Sequence, residues 1–116
     1  MRALLGQASL FASASVYEGF GIALIEAMSA GLVPVVEANA AFTAFAARHE
    51  GIRLTGYSDA VVAADALEAA HAGLQHAPEA TREAMMAVAA GYSWESTAKR
   101  YEDFYSGALS REAAPR

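Results

Sequence analysis

Glu18 and Glu26 stand eight positions apart on either side of the glycine-bracketed run Gly19-Phe20-Gly21. An ionised carboxylate only accepts hydrogen bonds, and its two oxygens can take both hydroxyls of a vicinal diol. Ribose and hexopyranose rings both present such diols. Leu10-Phe11-Ala12-Ser13, upstream of the run, is apolar and reads as a strand. Downstream, Ile22 and Ile25, with Ala23, Leu24 and Met28, recur at helical spacing. The glycine run therefore lies at a strand-to-helix junction. Backbone N–H groups of a first helical turn have no intrahelical partners and sit at the positive end of the helix dipole, so an anion such as a pyrophosphate is favoured there. Glycine lets that backbone come close to a ligand. The arrangement suits a sugar nucleotide with one diol for each carboxylate. Glu18, before the helix, faces the group beyond the phosphates; Glu26, about one turn in, reaches back toward the nucleoside. The plainer reading makes Glu18 a solvated loop residue and Glu26 a helix-surface charge, and the glycines and preceding strand weigh against it.

The same stretch is short of positive charge. No Lys or Arg occurs between Arg2 and Arg48. Helix-end amides contribute only about 0.3–1 kcal/mol per favourable charge at exposed sites, too little to offset two carboxylates beside a pyrophosphate. A cation from outside the segment is required, so the chain reads as half of a site.

Other candidates for chemistry are weaker. His49, His71 and His76 lack metal-ligand spacing and read as surface or capping residues; no metal and no cofactor is expected. Ser13 and Ser15 have no evident His-Asp relay. Tyr17 can stack on a ligand, although packing beside the strand end is the simpler role. Trp94 reads as a core anchor.

The positioning elements alternate along the chain. Gly31 ends the first helix after Ser29, and Val33 to Val36 is a second strand. Pro34 near its start suits an edge or strand-entrance position. Asn39 caps a helix running to His49, and Gly51 to Thr55 is a third strand. Ser58 or Asp59 caps a helix to about Gly73, Pro78 opens another, and Ser93 caps the last. That last helix places Trp94, Ala98, Tyr101 and Phe104 or Tyr105 on one face. Strands joined by helices give a parallel sheet, an α/β, Rossmann-like domain of about three strands. Residues 1–109 form this partial domain, and the tail 110–116 is expected to be disordered.

Composition sets the outer limits. At 116 residues the chain is one domain at most and can bury roughly two-thirds of its unfolded surface. Its 55% hydrophobic content leans on alanine, so the core is expected to be thin. No apolar run reaches a membrane span, and Met1 to Gly6 is too short and interrupted for a secretory signal. A cytoplasmic location is the default. Zero cysteines exclude a disulfide framework, and a net charge of −5 argues against nucleic acid and anionic membranes as direct partners.

Tyr17-Glu18-Gly19-Phe20-Gly21 with Glu26-Ala27-Met28, then Ala30-Gly31-Leu32-Val33-Pro34-Val35-Val36, resembles the group 1 type of nucleotide-sugar-dependent retaining glycosyltransferases, which have the two-domain GT-B fold. Tyr92-Ser93-Trp94-Glu95 is similar to the aromatic-Ser-Trp that opens the family's final helix. The wording around Ser13-Ala14-Ser15 and Met28 to Leu32 is also similar to α-mannosyltransferases that use GDP-mannose in exopolysaccharide assembly. The resemblance implies that the chain is the C-terminal half of the nucleotide-binding domain. It also implies that Glu18 acts at the catalytic centre and, within the loop Glu18-Gly19, holds the donor with the amides of Phe20, Gly21 and Ile22. Glu26 holds the ribose. The partner is then a GDP- or UDP-hexose, with the phosphate-binding Arg and Lys supplied by an upstream portion or another chain. The complete enzyme is expected in the cytoplasm or peripheral at the inner membrane, and the isolated chain is expected to be inactive and to self-associate. Glu37 to Phe42 departs from the paired glycines and Pro-Glu common in the family.

Two other functions fit parts of the pattern. Gly19-x-Gly21 after a strand, with Glu37 closing the next, partly mimics a dinucleotide-binding fingerprint, with Leu24 where a third glycine belongs. A non-catalytic interaction module derived from a glycosyltransferase is the other.

Overall fold

The computed structural model describes residues 2–112. After a short helix α1 (Arg2–Leu5), strands and helices alternate: β1 (Leu10–Ser13), α2 (Ile22–Ser29), β2 (Val33–Glu37), α3 (Ala40–Ala46) and β3 (Arg53–Thr55). Three helices follow, α4 (Ala60–His76), α5 (Pro78–Ala90) and α6 (Trp94–Glu112). The three strands form one parallel sheet in the order β1-β2-β3, as the alternation predicts.

Local chemistry explains most element boundaries. The Asn39 side chain accepts from the Phe42 N–H at 2.9 Å and starts α3. Asp59 Oδ1 accepts from Val61 and Val62 at 2.9 and 3.2 Å and starts α4. Each such cap is worth about 1 kcal/mol. Pro78 opens α5, and Ser93 Oγ accepts from Ser96 N–H at the start of α6. Gly31 adopts φ +79 beyond α2. Its N–H bonds to the Met28 carbonyl and that of Leu32 to Ala27, the paired closure that favours glycine at this position. Some ends differ from expectation: α3 stops at Ala46, β3 begins only at Arg53, and α4 continues to His76.

β2 is the centre of the structure. Val33, Pro34, Val35 and Val36 are all buried, as expected of a parallel strand covered on both faces. Around it pack Leu24 and Met28 from α2, Phe42 and Phe45 from α3, Leu74 from α4 and Met85 from α5. Of the two positions expected for Pro34, the structure shows the strand entrance and not an edge: it is the second residue of β2, which lies between β1 and β3. Successive residues of a parallel strand bond to opposite neighbours, and the Val33 N–H bonds toward β1, to Ser9. The N–H that proline lacks would thus point toward β3, whose pairing begins one residue later, at Val35 with Arg53. No ladder bond is lost.

β1 forms one edge of the sheet and is only partly covered. The other departure is Trp94, which is 90% exposed rather than a core anchor. From Ala98 to Ser110 every residue of α6 is exposed. A helix of 19 residues spans about 28 Å, a large part of the long axis of 63 Å, against 29 and 25 Å for the others. The aromatic face predicted for this helix exists, but it meets no core. α6 also runs through Glu112, past the expected domain end at residue 109; residues 113–116 of the expected tail lie outside the described residues.

Candidate functional site

Residues 14–21 connect the C-terminal end of β1 to α2. At the end of that loop Gly21 is the N-cap, with φ 86 and ψ 45, and no side chain caps the helix. This left-handed conformation costs an L-residue about 1–2 kcal/mol. A Cβ at Gly21 would also lie 2.9 Å from the Phe42 ring. Leu24 N–H closes back onto the Gly21 carbonyl at 3.0 Å. The N–H groups of Ile22 and Ala23 bond to no acceptor among the described residues, and no acidic residue lies in the first turn. The helix end expected from sequence is therefore present and uncapped.

Gly19 differs from Gly21. A Cβ there would meet nothing within 4 Å, and its φ is not positive. Nothing in the fold requires glycine at this position, whereas close approach of a ligand would. Glu18 beside it is half-buried, and Glu26 is exposed on the second turn of α2. Ile22, one turn before Glu26, is 65% exposed. The predicted site residues thus gather around one loop and one helix start. Tyr17 is 88% exposed, so the packing role expected for it is overturned: it projects from the loop.

Phe20 is held from below. Its ring meets Phe45 edge-on at 5.8 Å and Tyr92 at 6.2 Å. His49 completes the cluster, its Nε2 2.7 Å from the Tyr92 hydroxyl, which gives this histidine a packing and hydrogen-bonding role. His71 and His76 are exposed on α4, and no cluster of metal-binding side chains occurs among the described residues. The sequence offered little sign that Tyr92 and Phe20 would meet, since 72 positions separate them.

Tyr57 is the neighbour that sequence reasoning missed. Its hydroxyl donates to the Val35 carbonyl at 2.6 Å across the sheet's C-terminal edge, and its N–H donates to Glu37 Oε2 at 2.8 Å. Burial pushes the phenol above its ordinary range, the Glu37 carboxylate adds to the rise, and the Ser13 backbone N–H opposes it. A folded-state value above the unfolded one of about 10 gives stability that is fully present below pH ~10 and is lost as pH rises through the folded value. Tyr57→Phe is expected to flatten that alkaline loss while removing about 0.5–1.5 kcal/mol at neutral pH. Urea midpoints measured from pH 7 to 11 check this; parallel declines in the two proteins would contradict it.

Glu37 is thus occupied in holding the loop after β3, not open at a strand end as a dinucleotide fingerprint would need. Four of the cations are also engaged elsewhere. Arg82 donates to the Ala30 carbonyl at 3.0 Å, at the far end of α2. Arg48 donates to Ala44, Arg100 to Gly91, and Lys99 pairs with Asp103. Among the described residues none bonds to Glu18 or Glu26.

A family model described as Glycosyl transferases group 1 matches residues 1–92, which include the whole sheet and the site loop. The chain belongs to this family. Its match replaces the dinucleotide-binding alternative and agrees with the partial Rossmann-like fold. Three relatives carry the name GDP-mannose:cellobiosyl-diphosphopolyprenol alpha-mannosyltransferase. The protein from Komagataeibacter xylinus is 35% identical over 111 residues, covering 96% of this chain and 28% of the relative. That from Xanthomonas oryzae pv. oryzae (strain PXO99A) is 36% identical over 109 residues, 94% of this chain and 29% of the relative. That from Xanthomonas campestris is 37% identical over 107 residues, 92% and 28%. This group 1 glycosyltransferase segment spans under a third of the length of these relatives.

Proposed function

We propose that this segment binds the nucleotide-sugar donor of a retaining glycosyltransferase, with GDP-mannose as the donor and a lipid-linked saccharide as the acceptor in exopolysaccharide assembly. One observation carries the reading: an uncapped α2 start behind a left-handed glycine, with Gly19, which the fold does not require, and carboxylates at Glu18 and Glu26 around it. The relatives' names supply the choice of GDP-mannose.

In this proposal the protein works by positioning and charge stabilisation. The anomeric carbon gains oxocarbenium character as the nucleoside diphosphate leaves, and the amides at Phe20, Gly21 and Ile22 stabilise the departing phosphates. Glu18 fixes the sugar through its hydroxyls and Glu26 holds the ribose. The acceptor hydroxyl gives its proton to the departing phosphate, so no side chain of this segment is needed as the base. The phosphate-binding cations come from another portion of the enzyme or another chain, consistent with the engagement of Arg48, Arg82, Lys99 and Arg100. The open edge of β1 and the exposed face of α6 belong to the same proposal, as surfaces that such a portion or a second copy covers. No helix of the described residues is long and apolar enough to cross a membrane; we place the enzyme in the cytoplasm, peripheral at the inner membrane.

Ligand preference tests the reading. Saturation-transfer NMR on the assembled transferase with GDP-mannose, UDP-glucose and NAD is expected to show GDP-mannose bound in preference to the others. Preference for NAD, or no response to any nucleotide, would overturn it.

A further inference from the structure

The loop of residues 14–21 has no regular structure of its own, and three of its anchors come from the N-cap and one face of α3. Asn39 Nδ2 donates to the Ser15 carbonyl at 2.8 Å while Asn39 Oδ1 accepts from the Phe42 N–H at 2.9 Å. The Phe42 ring lies against Gly21, and Phe45 carries the ring of Phe20. Residues 39, 42 and 45 are three apart and share a helical face. That face therefore touches the loop near its start, at Ser15, and again at its end, at Phe20 and Gly21. Glu18 lies between the held points.

We infer that Asn39 is a positioning residue for the donor loop, an inference that rests on the donor-binding reading of that loop. Capping α3 needs only an acceptor, for which serine serves about as well as asparagine. Holding Ser15 needs a donor as well, and an amide carries both groups on one side chain. Asn39 is 8% exposed, so its hydrogen bond to Ser15 is shielded from competing water. A loop ordered before the ligand arrives spares the ordering cost at binding, and the residue placed by it is Glu18.

Asn39→Ser separates the two tasks, because the hydroxyl keeps the cap and gives up the reach to Ser15. Hydrogen exchange of the segment 14–21 in the assembled transferase, with and without millimolar GDP, is the measurement. Asn39→Ser is expected to keep the melting temperature within about 2 °C and to lose protection in that segment before GDP is added. The GDP concentration for half-maximal added protection should rise roughly three- to tenfold. Asn39→Ala should lose the cap too and melt at lower temperature. Unchanged protection of the segment in Asn39→Ser, or unchanged GDP dependence where the wild type responds, would overturn the positioning role. A wild-type transferase whose loop is ordered but does not respond to GDP would overturn the donor reading instead, and the clamp would then be decided by ligand-free protection alone.

Discussion

Gly21→Ala is expected to cost about 2–5 kcal/mol of folding stability, the largest loss of any single substitution in the site loop. Two separate penalties add. An L-residue held at φ 86 pays about 1–2 kcal/mol, and a Cβ placed 2.9 Å from the buried Phe42 ring forces overpacking worth about 1–3 kcal/mol. Phe42 cannot swing aside cheaply, because it is 1% exposed and lies among Leu24, Val36 and the rest of the core. Domains of this kind have about 5–15 kcal/mol in total, so the variant is expected to lie close to its unfolding threshold. Gly19→Ala is the control. Its added methyl meets nothing within 4 Å, and stability should change by less than about 0.5 kcal/mol, while donor binding weakens if the ligand passes close to that backbone. Urea denaturation of both variants checks the pair: a lowered midpoint at constant slope for Gly21→Ala alone is the expected outcome. Equal small losses at both positions would mean that only one of the two glycines' assigned roles, or neither, is correct.

The contrast between these glycines also shows what local sequence can convey. Asn39, Asp59, Pro78 and Ser93 announce helix starts because their capping chemistry acts within three residues, and Gly31 announces a helix end for the same reason. The strand-loop-helix around Glu18 and Glu26 was legible on this basis, and so was a three-stranded parallel sheet. Pro34 left edge and strand entrance undecided because its cost depends on where a neighbouring strand begins, a fact fixed by β3 some 20 residues away. Trp94 misled because an aromatic stripe at helical spacing states that a face is apolar but not what covers it. Tyr57 and the Asn39 to Ser15 bond were invisible for a related reason: each joins positions at least 20 apart in the chain, and no residue pattern at either end marks the other.

Glu26→Ala is expected to weaken binding of the free nucleoside diphosphate to the assembled transferase by about 1.5–3 kcal/mol, the usual worth of hydrogen bonds to a charged group. That corresponds to roughly ten- to more than hundredfold in affinity. The prediction follows from position. Glu26 is on the second turn of α2, exposed, and on the same side as Ile22 one turn earlier, so a nucleotide whose phosphates lie on the Gly21 end can bring its ribose diol to this carboxylate. Bonds to a diol that is part of the nucleotide are lost whether or not a sugar is attached. Glu18 precedes the turn proposed to take the phosphates and lies in the loop tied down at Ser15 and Phe20, where, in the proposed donor complex, it would reach the transferred sugar and not the nucleoside. Glu18→Ala should therefore leave nucleoside diphosphate affinity within about twofold, about 0.4 kcal/mol, and depress turnover of the sugar nucleotide. Calorimetry with GDP on both variants, beside kcat and KM for the donor, separates the roles. Because removing either carboxylate relieves repulsion of the phosphates, a small gain in GDP affinity for Glu18→Ala is compatible with its role. Matched losses of GDP affinity in the two variants would sink the assignment of one diol to each carboxylate.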